Sequence, residues 1–363
     1  MKPFTAVVLS LAALAAVPIA QQQVQNGRVE RRQAASIDRE LGAVPSAEPA
    51  WIAWRVPMIE GRRDLCSWYV DDSNATRGFL AEHAPGSSGQ PQITPPTGPV
   101  PLEAGTGLVT LVRVVEGRVE RLRTVTDDCP IDAGGRTIHW LDGVAPAEGL
   151  KFLDGLTRPT SPAILDRITG DARRSIATSA IGAIALHHDP AAETILLRLA
   201  TGDSETTLRR QAGTRLASRS QRGFDEIRKL VATEQNQSVR RGFVTALGQT
   251  RFAATAETLL TLARGDADAT VRGDAIYYYA SAAGPAGVPN VLAVIQNDTD
   301  DRVKARAVQG LATLPDADRI EPLITLARTS ANAAVRKQAV TALSHAKDPR
   351  AFAFIESILK GNR

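Results

Sequence analysis

One eleven-residue pattern returns five times in the second half of this chain. It reads "LRRQAGTRLAS" from Leu208, "VRRGFVTALGQ" from Val239, "VRGDAIYYYAS" from Val271, "VKARAVQGLAT" from Val303 and "VRKQAVTALSH" from Val335, with starts 31, 32, 32 and 32 residues apart. Twelve residues before each start stands another apolar residue: Leu196, Ile227, Leu259, Val291 and Leu323. A fixed period of this size allows few folds. A single helix–turn–helix unit cannot bury its apolar face alone, so successive copies must stack, and the result is an α-solenoid.

Helical phase assigns each position a side. With the start as zero and about 100° per residue, positions zero, four and eight form one apolar face, as in Val239, Phe243 and Leu247. Position five is apolar at the edge (Val244, Ile276, Val308, Val340), and position seven is small in Ala246, Gly310 and Ala342, where neighbouring helices must approach. Position six faces away and is polar in Thr214, Thr245, Gln309 and Thr341. The middle copy interrupts this with three tyrosines. Tyr279 takes the place of a core leucine, Tyr278 that of an alanine or glycine, and Tyr277 stands at position six.

Position one is cationic in every copy: Arg209, Arg240, Arg272, Lys304 and Arg336. It falls inside the apolar arc and at a helix N-terminus, where the dipole disfavours a cation, so each needs a partner. Acidic residues recur five before the start, in Asp203, Glu234, Asp266 and Asp298, with Ser330 the exception. The residues three before the start, Glu205, Asn236, Asp268, Asp300 and Asn332, suit N-capping.

From about residue 158 to 363 this pattern, D-x-x-x-V-R-x-x-A-x-x-A-L, resembles the HEAT-repeat family in its short-period form, as in phycobilin-lyase-type repeats. "DARRSIATSAIGA" around Arg173 looks like a degenerate first copy, and "DPRAFAFIESILKG" supplies a closing helix, so about six helix pairs are expected. The resemblance implies a structural ladder, an acid of one repeat (Asp203, Glu234, Asp266, Asp298) joined to a position-one cation of the next. It also implies that the second helices line the concave side. Tyr277 then projects into the groove as a partner anchor, or else lies idle over its own helix. Arg210, Arg241, Arg306, Lys337, Thr245, Gln309 and Thr341 flank it there.

The first part of the chain has different chemistry. All four tryptophans (Trp51, Trp54, Trp68, Trp140) and both cysteines precede residue 145. "WIAWRVPM", "LCSWYV" and the hairpin-like "GLVTLVRVVEGRVERLRTVT", with Glu116-Gly117 at its turn, read as strands. The fold class is therefore mainly α: a HEAT-type α-solenoid over residues 145–363, preceded by a small, mostly β domain over 49–144 and a polar lead-in over 21–48.

Residues 1–20 carry a short basic start and a small-residue apolar run, the layout of a secretory signal peptide. Cleavage is placed after Ala20, with Ala15 as the rival and an uncleaved anchor helix as the alternative. The protein is thus expected to be exported, periplasmic or secreted, with no membrane insertion of the mature chain. In an oxidising compartment Cys66 and Cys129 form a disulfide rather than a metal site, two buried thiols being the other reading.

Function is harder to read. Residues 156–363 hold 28 Lys and Arg against 21 Asp and Glu. Five of those cations form the structural row, so the pI of about 9.3 does not mark a phosphate-tracking stripe, and no nucleic-acid partner is expected. His187-His188 and His345 sit in helix-to-helix turns and are expected in solvent. No phosphate loop, nucleophile elbow or zinc-protease helix is present, and neither cofactor, catalytic residue nor metal is expected. The leading expectation is a non-catalytic scaffold holding a protein or peptide on the concave face. The alternative is an enzyme or enzyme accessory, with a site in the acidic loops of the β domain: Asp71, Asp72, Asp127, Asp128, Asp132 and His139.

Overall fold

A computed structural model describes residues 24–34, 36–44, 48–61, 65–70, 75–82, 105–158, 170–202 and 205–361. The signal-like segment, Asp71, Asp72 and Asp203 lie outside the described residues. The chain divides into two compact units, the first ending at Asp189 and the second running from Pro190 to Arg363.

The first unit contains two sheets. β2 (Arg28–Gln33), β9 (Thr137–Asp142), β3 (Ala50–Pro57), β6 (Gly107–Val115) and β7 (Arg118–Thr126) lie in that order in a five-stranded sheet. Its first two pairings are parallel and its last two antiparallel. A four-stranded sheet orders β1 (Val24–Gln25), β8 (Ile131–Asp132), β5 (Ala75–Leu80) and β4 (Ser67–Val70). The β6–β7 hairpin turns at Glu116 and Gly117, both with positive φ (49° and 73°), which matches the twist of the flanking strands. Cys66 and Cys129 are joined, with Cα atoms 5.3 Å apart, inside a core of Trp51, Val109, Leu111, Ile131, Ile138 and Trp140.

The supposed polar lead-in is part of this fold. "RVERRQ" is an edge strand, where charged side chains are tolerated because one backbone edge meets solvent. It is followed by α1 (Ile37–Ala43), whose Ile37 and Leu41 are buried. Two further helices are described in the unit, α2 (Pro146–Leu156) and α3 (Gly170–Leu186); α3 packs on β7, and Phe152 of α2 meets Trp54 edge-on at 5.5 Å. The unit is therefore less purely β than its strands suggest, and it extends well past residue 145, where composition changes. The reason is visible at its end: Ile59 N–H donates to Leu186 O (2.9 Å), and His188 N–H donates to Pro57 O (3.1 Å). The expected degenerate first repeat is α3, and it belongs with the strands.

The same ladder corrects the reading of His187. Its side chain is fully buried, because Met58 and His187 form a β-bridge that points it inward, while His188 points out and is exposed.

The second unit is the solenoid. Helices α4 (Ala191–Thr201) and α5 (Thr206–Arg219), α6 (Gln221–Thr233) and α7 (Gln237–Gly248), α8 (Thr255–Gly265) and α9 (Ala269–Ala283), α10 (Val288–Asn297) and α11 (Asp301–Ala312), and α12 (Asp316–Thr329) and α13 (Ala333–Ser344) are successive pairs, closed by α14 (Pro349–Leu359). Val239, Val271, Val303 and Val335 have no exposed surface, nor have Phe243, Ala275, Ala307 and Ala339 four residues on. Asn236, Asp268, Asp300 and Asn332 cap their helices through side-chain oxygens, whereas Glu205 makes no cap hydrogen bond.

The position-one arginines solve the dipole problem twice over. Each reaches an end carbonyl of the preceding helix or its loop: Arg209 to Ala200 O (3.0 Å), Arg240 to Val231 O (2.7 Å), Arg272 to Asp266 O (2.9 Å) and Arg336 to Ser330 O (2.8 Å). These carbonyls have no partner within their own helix. Arg209 then pairs with Glu234, Arg240 with Asp266 at 2.6 Å, and Arg272 with Asp298 at 2.8 Å. The order is a cation of one repeat with the acid of the following repeat, the reverse of the expected direction. Each acid sits in the loop just before the next second helix, which stacks directly on the arginine. Lys304 makes no ion pair among the described residues, since Ser330 stands where the next acid would be.

Candidate functional site

The second helices of neighbouring repeats pack along one another more extensively than the first helices do. Small residues permit this. A Cβ at Gly310 would stand 3.1 Å from Ala280 Cβ and 3.2 Å from Tyr277 Cα, so α9 and α11 are almost in backbone contact.

The three tyrosines part company here. Tyr279 is core, and its hydroxyl accepts from Asn290 Nδ2 at 2.7 Å. Tyr278 leans onto the preceding repeat, where its Cγ would lie 2.4 Å from a Cβ at Gly248, so only glycine leaves it room. Tyr277 is half-buried rather than freely presented. Arg306 stacks over its ring at 4.1 Å, and the Tyr278 ring meets it edge-on at 5.1 Å.

Behind this cluster is a buried acid that phase analysis alone did not single out. Asp274, 5% exposed, accepts from Arg241 Nε at 2.9 Å and from Arg306 Nε at 3.3 Å. Arg241 comes from the repeat before it and Arg306 from the repeat after, so one carboxylate ties three second helices together. Arg306 also donates to Gln309 Oε1 at 2.8 Å. The Asp274 hydrogen bond raises the pKa of Arg241 above its usual value, against an opposing contribution from burial. The signal was present in the spacing: Arg241 precedes Asp274 by 33 residues and Arg306 follows by 32, one repeat either way.

Beside the cluster lies a cavity of about 490 Å³ between α5 and α7. Arg210, Arg241, Gly242, Thr245 and Asp274 line it, with hydroxyl and amide groups around them. Gly242 is bare so that the Arg210 stem can lie across it: a Cβ there would stand 2.6 Å from Arg210 Cγ. The guanidinium of Arg210 is exposed and has no partner among the described residues. Of the residues expected on this face, Arg210, Arg241 and Thr245 thus meet at the cavity, and Tyr277, Arg306 and Gln309 meet at the cluster. Lys337 and Thr341 are exposed on α13 and belong to neither, Thr341 Oγ1 donating to its own Lys337 O at 3.0 Å.

The acidic loops of the first unit form another arrangement. Asp127 pairs with Arg55 at 2.7 Å, and Asp132 Oδ1 accepts from Gly134 N–H at 2.9 Å. His139 is buried, its Nδ1 3.2 Å from Glu30 Oε2, and burial together with Arg32 lowers its pKa against the opposing pull of Glu30. Among the described residues no group of three or more His, Cys, Asp or Glu is placed to hold a metal ion. Nor is any helix there long and apolar enough to cross a membrane.

Comparison with known families matches residues 288–363 to HEAT repeats. That span covers α10 to α14, and no family model matches the N-terminal unit. No curated protein matches the chain.

Proposed function

We propose that this HEAT-repeat chain is an exported, non-catalytic scaffold whose solenoid binds a protein or peptide on the concave face formed by its second helices. The observation that carries the reading is the cavity between α5 and α7, with the guanidinium of Arg210, which has no partner among the described residues, in its wall. The closer packing of the second helices supports their being the inner wall, since the row with the shorter spacing lies inside a curved stack. The apolar start of the sequence and a disulfide in the core are compatible with export.

The test is affinity capture from cell-envelope and secreted fractions, with the full chain and its Arg210→Glu variant as baits. Arg210 is exposed, so the two baits should melt alike. A protein held by the first and lost by the second supports the reading. Identical capture by both overturns it for this face.

A further inference from the structure

We infer that the cavity between α5 and α7 takes an acidic peptide in polyproline II conformation, with two carboxylate side chains three residues apart held by Arg210 and Arg241. This rests on the partner-binding reading and specifies what the partner must carry.

Charge is the first argument. Two guanidinium groups, of Arg210 and Arg241, line the cavity with one carboxylate, that of Asp274, and this carboxylate is shared between Arg241 and Arg306 of the neighbouring cluster, so the cavity wall carries a net positive charge. Asp274 engages Arg241 only through Nε, so the two terminal nitrogens of Arg241 remain for a ligand. Arg210 offers its whole guanidinium fork, a shape that matches a carboxylate with two parallel hydrogen bonds.

Polarity is the second. The rest of the wall is hydroxyl and amide, including Gln211, Gln237 and Ser238, with no large apolar side chain. Such a wall suits a ligand with a hydrated backbone and gives an amphipathic helix nothing to bury. A polyproline II chain has a hydrated backbone and no internal hydrogen bonds.

Spacing is the third. Arg210 and Arg241 occupy the same position on neighbouring second helices. Packed helices lie about 8–10 Å apart. A polyproline II chain has three residues per turn and rises about 3.1 Å per residue, so side chains three apart share a face at roughly 9 Å. The ligand repeat and the helix repeat coincide.

The experiment uses the full chain and short labelled peptides in a proline–alanine frame, read by fluorescence anisotropy. One peptide carries two glutamates three residues apart, a second carries them two apart, and a third has glutamine at both sites. The first peptide should bind at least about tenfold more tightly than the others, and Arg210→Gln should weaken it by about tenfold or more. Lys229→Gln, at an exposed position of α6 outside the cavity lining, should leave binding unchanged. Arg241→Gln should also weaken it but disturbs Asp274, so Arg210→Gln decides.

Equal binding of all three peptides, or no effect of Arg210→Gln, overturns the inference. So does an Arg210-dependent single-stranded oligonucleotide that binds more tightly than the first peptide. Loss of a captured protein by Arg210→Glu without peptide binding overturns the acidic-peptide inference and spares the partner surface. Retention of every captured protein with no peptide binding removes both.

Discussion

Arg272 holds both carboxylate oxygens of Asp298, Nε to Oδ2 at 2.8 Å and Nη2 to Oδ1 at 3.1 Å, across a gap of 26 residues that spans one repeat boundary. Both side chains are largely buried, at 15% and 8% exposure. The stacking of repeats is therefore tied by charge as well as by apolar packing.

Truncating Arg272 to alanine leaves Asp298 buried without its cation and frees a loop carbonyl at Asp266. The expected loss is about 3 kcal/mol, read from urea unfolding followed by far-UV circular dichroism. Arg272→Lys should recover part of it, since one ammonium cannot make both bonds.

The same pair sets an acid limit. Burial opposes ionisation of Asp298, but Arg272 and the Asp300 N–H outweigh it and hold the pKa below the usual carboxylate value. A lowered folded-state pKa means the unfolded chain binds more protons in that window, so stability rises with pH there. The contribution should be complete above about pH 4 and should fade as pH drops through the lowered value. Asp298→Asn should flatten this acid limb, and a slope identical to wild type would refute the assignment.

Gly248 and Tyr278 should behave as a unit. Gly248→Ala alone forces Tyr278 to move, at a cost of about 1–3 kcal/mol. In a Tyr278→Ala background the same change should be neutral or stabilising, because alanine favours the helix over glycine. A double-mutant cycle of thermal or urea unfolding measures the difference.

Removing the charge of Asp274 leaves Arg241 and Arg306 facing a neutral amide. Asp274→Asn should cost about 2 kcal/mol, and added salt should return part of the loss by screening the two cations. Salt-independent destabilisation would argue against the three-helix tie.

All four tryptophans lie in the first unit, so their fluorescence reports on it. Breaking the Cys66–Cys129 bridge, which spans 63 residues, removes about 4 kcal/mol in the chain-entropy picture. Paired Cys→Ser substitutions should shift the fluorescence transition down in urea and leave the later helical signal near its place.

What could be read from the residues was whatever repeats inside an element. The 32-residue period, the buried face of each second helix, the caps at Asn236, Asp268, Asp300 and Asn332, the cationic row and the Glu116-Gly117 turn all follow from local geometry, because periods of 3.6 and 2 are written along the chain. The polar residues at position six were likewise legible as facing away from the core. What an element meets was not legible. The tertiary structure alone decided that Arg209 reaches forward to Glu234, that Arg306 folds back over Tyr277, and that the Arg210 stem lies across Gly242. It also decided that α3 joins the strands and buries His187, although composition changes forty residues earlier. These outcomes depend on how far one element slides and turns against another, and a one-residue shift would send each side chain to a different neighbour while leaving the sequence periodicity unchanged.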